Sequence, residues 1–345
     1  MVDEGSEKGV GLVLAGAVAR GAFGAGAVRT FAKKNPRIVR IAGTSSGALN
    51  AVLVAAGVAA GNLEGAASVL TNLWLDHGSW ADIVRIRAVD WLHLKGLLDT
   101  QRLSGIVQDG LGQVLNGLNG GPARARVHLT LVTTNLDGLE SNKGPSPLPT
   151  YEQPLVFTEK ELVDKTRWPE IANAAVASAT FPGVFSPTKV MAARGAPCID
   201  GGAVNNAPIS YLLWDRDTGV DTGVAKVVVV TSEPSQLKVQ ADFGGIELVS
   251  RIADVVIQER VARDLLAAHR ANQRYKAISD ELIQSGVPQD ARERVLRALK
   301  IRPIELYLVR PDPPLEGDAF SGFFSRAERQ GYVRAGAAAA MIPIV

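Results

Sequence analysis

The sequence has little of what several common protein classes require. Its 345 residues include one cysteine, Cys198, which can form no internal disulfide and offers no thiol cluster for zinc. Lysine and arginine (37) nearly balance aspartate and glutamate (35), and a net charge of +2 is too small for the electrostatic footprint of a nucleic-acid-binding protein. The longest apolar runs, 51–60 and 337–345, are well short of the roughly 20 residues that a membrane-spanning helix needs.

The N-terminal segment also lacks the character of a secretory signal. Its small residues at 15–19 match a signal-peptidase site, but Asp3, Glu4 and Glu7 stand where a signal carries net positive charge.

Hydrophobic residues make up 46% of the chain, which excludes an intrinsically disordered protein. No acids or histidines have metal-ligand spacing. We therefore expect a folded cytoplasmic protein without metal or cofactor.

Short apolar runs alternate with segments of helical character along the chain. The runs lie at 10–14, 38–42, 127–134, 224–231 and 304–309, and the run at 224–231 has the continuous apolarity of a parallel strand covered on both faces. This alternation predicts an α/β fold with a mostly parallel central sheet. Residues 246–275 have the pattern of one long amphipathic helix, which lies either on the protein core or against a membrane.

We expect a single domain over residues 1–345, with its core at about 9–340. Three segments within it are typical of surface loops. Residues 109–122 are rich in glycine and asparagine, residues 140–150 contain three prolines, and residues 310–325 combine three prolines with three phenylalanines.

The most informative pentapeptide is Gly43-Thr44-Ser45-Ser46-Gly47. A sharp strand-to-helix turn needs small residues, here Gly43 and Gly47, two positions on either side of an exposed serine. Ser45 would then lie at a helix N-terminus, where the dipole favours the negative charge formed during acyl transfer. For Ser46 we expect a capping or packing role. The competing interpretation is an ordinary glycine-rich βα loop.

A nucleophilic serine needs a base. His269 is the downstream histidine candidate for a triad, but it lies in a helical context, and only 44 residues precede Ser45, fewer than an α/β-hydrolase needs. The second candidate is Asp200, because Gly201 and Gly202 directly after it allow a tight turn that leaves the carboxylate unscreened. A free aspartate is a poor base unless burial raises its pKa or proton transfer accompanies attack. An exposed Asp-Gly turn is the competing interpretation.

These motifs together resemble the patatin-like phospholipases, lipid acyl hydrolases that use a Ser-Asp dyad without histidine. Ser45 in its glycine-flanked turn and Asp200 in Asp-Gly-Gly carry the resemblance, which spans about residues 9 to 340. Four further segments match the family in the same order: Gly11–Leu14, Ala177–Pro187, Asn206–Pro208 and Gly331–Ala335. The resemblance implies a three-layer α/β/α fold in which Ser45 and Asp200, 155 positions apart, meet across one pocket.

The resemblance also implies an oxyanion turn with a Gly-x-Gly-x-x-Gly frame. In Gly16-Ala17-Val18-Ala19-Arg20-Gly21 both outer glycines and Arg20 fit, and the backbone N–H of Ala17 can donate whatever its side chain. Val18 replaces the middle glycine, and a β-branched residue at positive φ is an outlier. Either the turn is reshaped or the oxyanion pocket is impaired, and the loss of one donor costs on the order of 10²–10³ in rate.

The function that the resemblance implies is hydrolysis of carboxylic esters in a phospholipid or another acyl lipid, of the phospholipase A or lysophospholipase type. Ser45 would form the acyl-enzyme and Asp200 would be the base. The partners would be the lipid substrate and a peripheral membrane surface, with no nucleic acid. Three competing hypotheses stay open: a soluble-ester or thioester hydrolase, a lipid-binding or scaffold protein impaired by Val18, and a hydrolase with a triad through His269.

Overall fold

A computed structural model describes residues 9–83, 85–86, 98–139, 149–182, 185–215, 218–234 and 245–344. The strands are β1 (Gly9–Leu14), β2 (Ile38–Thr44), β3 (Arg85–Ile86), β4 (Leu98–Asp99), β5 (His128–Leu139), β6 (Thr150–Thr158), β7 (Thr188–Val190), β8 (Ala196–Asp200), β9 (Val224–Val230), β10 (Glu305–Val309) and β11 (Met341–Ile344). The helices are α1 (Gly21–Ala32), α2 (Ser46–Ala59), α3 (Leu63–His77), α4 (Trp80–Ile83), α5 (Gln101–Leu115), α6 (Glu159–Val163), α7 (Trp168–Ser178), α8 (Ser210–Leu213), α9 (Gly245–Gln284), α10 (Gln289–Ala298) and α11 (Arg326–Ala338).

One nine-stranded mixed sheet organises the molecule, in the order β11-β10-β9-β1-β2-β5-β8-β7, with β6 also paired to β5. Its five central strands, β10-β9-β1-β2-β5, are parallel to one another. The pairs toward the edges, β10 with β11, β5 with β6, β5 with β8 and β7 with β8, are antiparallel. The predicted α/β fold with a mostly parallel central sheet is confirmed, and the five predicted strand runs are its five central strands.

Alternate residues of β1 pack into different hydrophobic clusters. Leu12 and Leu14 belong to a large cluster with α1, α2, α3, α5, α7 and α11, whereas Val13 belongs to a second cluster with α8 and α9. Because successive side chains of a strand point to opposite faces, these clusters mark the two helical layers around the sheet. The arrangement is the expected three-layer α/β/α fold.

Two predicted surface segments have more helix than expected. The loop predicted over 109–122 is partly wrong, because α5 continues to Leu115 and a 3-10 turn follows at Asn116–Leu118. Val107, Leu111 and Val114 are buried on one face of α5, and this packing overrides the weak helix propensity of the glycines. The helix predicted over 246–275 is present and longer, since α9 has 40 residues.

The remaining two predicted loops lie in different parts of the chain. Residues 310–325 connect β10 to α11 and contain only a 3-10 turn, Ser321–Phe323, among their described structure. Residues 140–148 of the loop predicted over 140–150 lie outside the described residues.

In the described part of the chain, no helix combines the length and apolarity needed to cross a bilayer.

Candidate active site

Ser45 occupies a tight turn between β2, which ends at Thr44, and α2, which begins at Ser46. Its backbone has φ 56° and ψ −134°, a conformation that only a strained turn imposes on a residue with a side chain. A Cβ atom at Gly47 would collide with the carbonyl oxygen of Leu14, and one at Gly43 would lie 2.6 Å from the Cβ of Ala51. The flanking glycines therefore let α2 pack directly against β1 and β2.

The backbone of Ser45 is held by a buried serine from a distant helix. The Ser45 N–H donates to Ser178 Oγ at 2.9 Å, although the two residues are 133 positions apart. Ser178, the last residue of α7, donates its own hydroxyl proton to the Val132 carbonyl of β5 at 2.6 Å. This chain of hydrogen bonds fixes the turn relative to the centre of the sheet.

The side chain of Ser45 meets Asp200, as expected from their motifs. Ser45 Oγ donates to Asp200 Oδ2 at 2.6 Å, and both residues are buried. Asp200 ends β8 and pairs with Thr133 of β5, directly beyond Val132, the last residue of β5 that pairs with β2. Because β6 pairs along the opposite edge of β5, β8 continues along the same edge as β2. The sheet order thus brings together two residues that are 155 positions apart.

The carboxylate of Asp200 is oriented by the turn that follows it. Its Oδ1 accepts the Gly202 N–H at 2.7 Å, and its carbonyl accepts the Thr134 hydroxyl at 2.8 Å. Gly201 and Gly202 open a 3-10 turn, and a Cβ at Gly201 would collide with the Val132 carbonyl. One carboxylate oxygen is therefore anchored while the other faces the serine.

Burial changes the acidity of Asp200. Desolvation raises the pKa of its carboxyl to about 6, against the opposing effect of hydrogen bonds from Ser45 and the Gly202 N–H. A carboxylate with a pKa near 6 is a better proton acceptor than a free aspartate and is still ionised at neutral pH. The condition under which aspartate can act as a base is met here.

The glycine-framed turn at residues 16–21 lies against the Ser45 side chain. A Cβ at Gly16 would lie 2.6 Å from the Cβ of Ser45 and would collide with Asn206 Oδ1. Ala17 has a negative φ of −157°, which does not require glycine, whereas Val18 has φ 51°. The middle position of the frame therefore keeps the left-handed backbone that favours glycine, and Val18 occupies it with strain.

The rest of this turn points away from the serine. Arg20 is buried and donates from Nη2 to the Gly317 carbonyl at 2.8 Å, and the Gly21 N–H donates to the Val18 carbonyl. Among residues 16–21, all of which are described, Val18 alone lines the pocket over Ser45. Arg20 is placed to hold the turn against residues 310–325.

An apolar pocket of about 810 Å³, including its open mouth, lies over Ser45 and Asp200. Aliphatic side chains from α2, α3 and α5 form much of its wall, and aromatic side chains close one side: Phe181, Phe185, Phe320 and Phe323. The polar atoms of Ser45 and Asp200 therefore lie at the base of a largely hydrocarbon surface. Such a pocket suits a ligand with a long apolar portion and one reactive polar group.

The structure does not place His269 beside Ser45. His269 lies on α9 and shares a hydrogen bond of 2.8 Å with Gln273 one turn along the same helix. His77, at the C-terminus of α3, lines the pocket, but the Ser45 hydroxyl proton is directed to Asp200. In the described residues, no cluster of histidine, cysteine, aspartate and glutamate is suited to a metal ion.

Sequence reasoning missed the role of three polar residues that hold this site together. Ser178 accepts from the Ser45 N–H, Ser46 accepts from the Ala17 N–H at 3.0 Å, and Asn206 binds Gly16. Ser178 and Asn206 lie in segments that carry the family resemblance, and this resemblance is the signal that could point to them. For Ser46 the sequence indicates only capping or packing, whereas its hydroxyl connects the two turns.

Comparison with known proteins points to the same family. A family model described as patatin-like phospholipase matches residues 12–213. No curated protein matches the sequence. Similar solved structures include VipD from Legionella pneumophila, with 15% identity and a TM-score of 0.42 over 96% of this chain and 66% of that chain.

Two further structures contain the type III effector ExoU, both with 16% identity. One covers 85% of this chain and 62% of that chain with a TM-score of 0.32, and the second, ExoU with SpcU from Pseudomonas aeruginosa, covers 95% and 70% with a TM-score of 0.33. The chain thus spans less than two thirds of VipD and of the first ExoU chain. Because the family model covers more than half of the sequence and includes both Ser45 and Asp200, the chain belongs to the patatin-like phospholipase family.

Proposed function

We propose that this protein is a lipid acyl hydrolase of the phospholipase A or lysophospholipase type, with Ser45 as nucleophile and Asp200 as base. The observation that carries the proposal is the buried hydrogen bond of 2.6 Å from Ser45 Oγ to Asp200 Oδ2. Its position at the base of an apolar pocket supports a lipid substrate. Because β9, β10 and β11 extend the same sheet as β1, we also propose that the whole chain is one catalytic domain.

The chemistry divides into two half-reactions. Ser45 Oγ attacks the ester carbonyl as Asp200 takes its proton, and collapse of the tetrahedral adduct breaks the bond to the leaving alcohol, which receives that proton. Asp200 then takes a proton from water as the water attacks the acyl-enzyme. The Ser45–acyl bond breaks, the serine regains its proton, and a fatty acid is released.

The negative charge on the tetrahedral adduct needs backbone donors close to Ser45. The turn at residues 16–21 is the nearest source, because Gly16 packs against the serine and Val18 lines the pocket. We assign it the role of oxyanion turn, with Arg20 orienting it through Gly317. Val18 keeps its backbone N–H although its φ angle is strained, so we expect the turn to function.

An aromatic rim beside the pocket supports action at a lipid surface. We use this name for Trp80, Phe323 and Phe324. The Trp80 ring lies 5.6 Å from Phe323, which lines the pocket, and 5.9 Å from Phe324, which is 74% exposed. An exposed phenylalanine continuous with an apolar pocket is suited to insertion among acyl chains.

The decisive experiment compares ester turnover by the wild type with Ser45→Ala, Asp200→Asn and His269→Ala, using a lysophospholipid and a short-chain p-nitrophenyl ester. We expect the first two variants to lose at least roughly 10³-fold in kcat and His269→Ala to remain within threefold of the wild type. Loss of turnover in His269→Ala alone would move the assignment to a histidine triad. Circular dichroism checks that each variant is folded.

Two further measurements test the scaffold and soluble-ester hypotheses. A serine-directed fluorophosphonate should label the wild type and not Ser45→Ala, and a folded wild type that remains unlabelled would identify a scaffold protein. Turnover should rise sharply when the lipid substrate exceeds its critical micelle concentration, and a soluble-ester hydrolase would show no such rise. Phe324→Ser should reduce this rise without changing turnover of the soluble ester, whereas Met191→Ser, at another exposed apolar residue, should change neither.

A further inference from the structure

We propose that Asn206 and Ser46 are positioning residues that fix the oxyanion turn from its two sides, so that the Val18 N–H is the donor left for the reacting oxygen. This inference rests on the proposed function. It assigns a role to two side chains that take no part in proton transfer. It also explains how the turn keeps its shape with valine in a glycine position.

Asn206 holds Gly16 through both ends of its amide. The Gly16 N–H donates to Asn206 Oδ1 at 3.0 Å, and Asn206 Nδ2 donates to the Gly16 carbonyl at 3.2 Å. Asn206 is fully buried and 190 positions from Gly16. Paired hydrogen bonds fix both the position and the orientation of a peptide unit, in the way that a single bond does not.

Asn206 belongs to the same chain segment as Asp200, the proposed base. It follows Asp200 by six residues, through the turn in which the Gly202 N–H holds the carboxylate. The next residue, Ala207, donates its N–H to Asp264 Oδ2 of α9 at 3.1 Å. A displacement of the base turn would therefore also displace Gly16.

Ser46 holds the other side of the turn. The Ala17 N–H donates to Ser46 Oγ at 3.0 Å, and both residues are buried. Ser46 is the first residue of α2 and directly follows the nucleophile. Its hydroxyl therefore sets the distance between the oxyanion turn and Ser45.

These contacts leave one N–H of the turn without an acceptor in the described part of the chain. The Gly16 N–H donates to the Asn206 side chain, and the Ala17 N–H donates to the Ser46 side chain. The next three N–H groups donate to backbone carbonyls: Ala19 to Ala319, Arg20 to Ala17, and Gly21 to Val18. Val18 is buried and lines the pocket. Because an unpaired buried N–H is costly, it is a strong donor to an oxygen that develops charge beside it.

The kinetic test uses Asn206→Ala with Asn205→Ala as its matched control. Asn205 is the adjacent asparagine and bonds instead to Glu152 Oε1 at 2.8 Å. We expect Asn206→Ala to lower kcat on a p-nitrophenyl ester by about 10²-fold with KM within threefold, since misplacement of an oxyanion donor affects the transition state. Affinity for an alkyl boronic acid, which forms a tetrahedral adduct with serine, should fall in parallel. A kcat within threefold of Asn205→Ala would overturn the inference.

A second variant keeps the test decisive if Asn206→Ala does not fold. Ser46→Ala removes only one hydroxyl, at a helix position that favours alanine. It should lower kcat about tenfold and leave KM unchanged. A Ser46→Ala enzyme with wild-type kcat and boronate affinity would contradict the proposed role of Ser46.

Amide hydrogen exchange tests the geometry without using activity. In the wild type, the Gly16 and Ala17 amides should exchange at least tenfold more slowly than the Val18 amide, and Asn206→Ala should accelerate Gly16. Equal protection of Val18 and Gly16 would overturn the assignment of the free donor. If the exchange pattern holds but Ser45→Ala retains full turnover, the proposed function fails while the geometry of the turn stands.

Discussion

Two turns at the base of the pocket each hold a non-glycine residue at positive φ: the proposed nucleophile turn holds Ser45 at 56°, and the proposed oxyanion turn holds Val18 at 51°. At Ser45 the backbone is bound on both sides: its N–H donates to Ser178, and its carbonyl accepts the Ala48 N–H at 2.8 Å. At Val18 the carbonyl accepts the Gly21 N–H, but the N–H has no acceptor among the described residues, and side-chain bonds to Gly16 and Ala17 hold that side of the turn.

The difference shows two uses of the same backbone strain. In the turn at Ser45 the strained residue is the proposed nucleophile, and its hydroxyl donates to Asp200. In the turn at residues 16–21 the strained residue is the proposed backbone donor, while its side chain lines the pocket. Strain of on the order of 1–3 kcal/mol is tolerated at each turn because the surrounding hydrogen bonds and packing determine the conformation.

The largest effect should come from replacing the strained nucleophile. Ser45→Gly and Ser45→Ala should both lose turnover by at least roughly 10³-fold, because neither has a hydroxyl. Glycine adopts positive φ without strain, so Ser45→Gly should be more stable than Ser45→Ala by about 1 kcal/mol. Denaturant unfolding measures this difference. Equal stability would show that the strain at Ser45 is negligible.

The pH dependence should distinguish the turns next. The nucleophile turn depends on Asp200, whose pKa burial raises to about 6, whereas residues 16–21 contain no acid or histidine. Since the base must be ionised, kcat/KM should fall about tenfold per pH unit below pH 6. The profile is measured with an uncharged ester. A profile that is flat down to a pH of about 4.5 would exclude Asp200 as the base.

The free energy of unfolding should change in the opposite direction to kcat/KM, and should rise as the pH falls from about 6 to about 4. A carboxyl whose folded pKa is raised stabilises the fold below the unfolded pKa near 4, and this contribution is lost as pH rises toward 6. Asp264, which is half-buried and has a pKa raised to about 6, should add to this trend. In Asp200→Asn the pH-dependent loss of unfolding free energy should shrink by up to roughly 3 kcal/mol.

Removing the support of the nucleophile turn should have a smaller effect. Ser178→Ala leaves the buried Ser45 N–H without its partner and removes one hydrogen bond to the Val132 carbonyl, which should lower the free energy of unfolding by about 1–3 kcal/mol. We expect kcat to fall about tenfold as the turn loosens. Ser68→Ala, which removes an exposed hydroxyl on α3, should change stability by less than about 0.5 kcal/mol. Equal effects in the two variants would contradict the role of Ser178.

The smallest effect is expected at Val18. Val18→Gly relieves strain of roughly 1–3 kcal/mol but loses a buried side chain worth roughly 1.5–3 kcal/mol and adds chain entropy of about 0.5–1 kcal/mol. The net change in stability should therefore be a loss of about 1 kcal/mol, with kcat within threefold of the wild type. Ala17→Gly is the control, because φ −157° needs no glycine. A tenfold change in kcat for Val18→Gly would show that valine impairs or shapes the site.

The part of the fold that could be predicted is the part that is buried on both faces. Central strands such as β1 and β9 are continuous apolar runs, which stand out in the sequence. The edge strands are not evident from sequence because β7 has three residues, β6 contains a proline, and β8 mixes buried and half-buried positions. These strands depend on their partner β5 more than on their own composition.

The predictable part of the site is likewise its local part. Ser45 and Asp200 each lie within two residues of the glycines that their turns require, so the sequence alone could point to them. Asn206 and Ser178 act on backbone groups 190 and 133 positions away, and no local pattern indicates such a partner. For Val18 the sequence allows a reshaped turn or an impaired oxyanion pocket. The positive φ shows that the turn is not reshaped at this position, and Val18→Gly tests whether the pocket is impaired.

The oxyanion turn is also joined to residues far along the chain, through the Ala19 N–H on the Ala319 carbonyl and through the pairing of β1 with β9. During synthesis, Ser45 therefore leaves the ribosome long before the residues that complete its surroundings. A nascent chain carries Ser45 without a finished oxyanion turn or a closed pocket wall. The order of the elements along the polypeptide thus delays the proposed lipid-degrading activity until the segment around Ala319 has emerged.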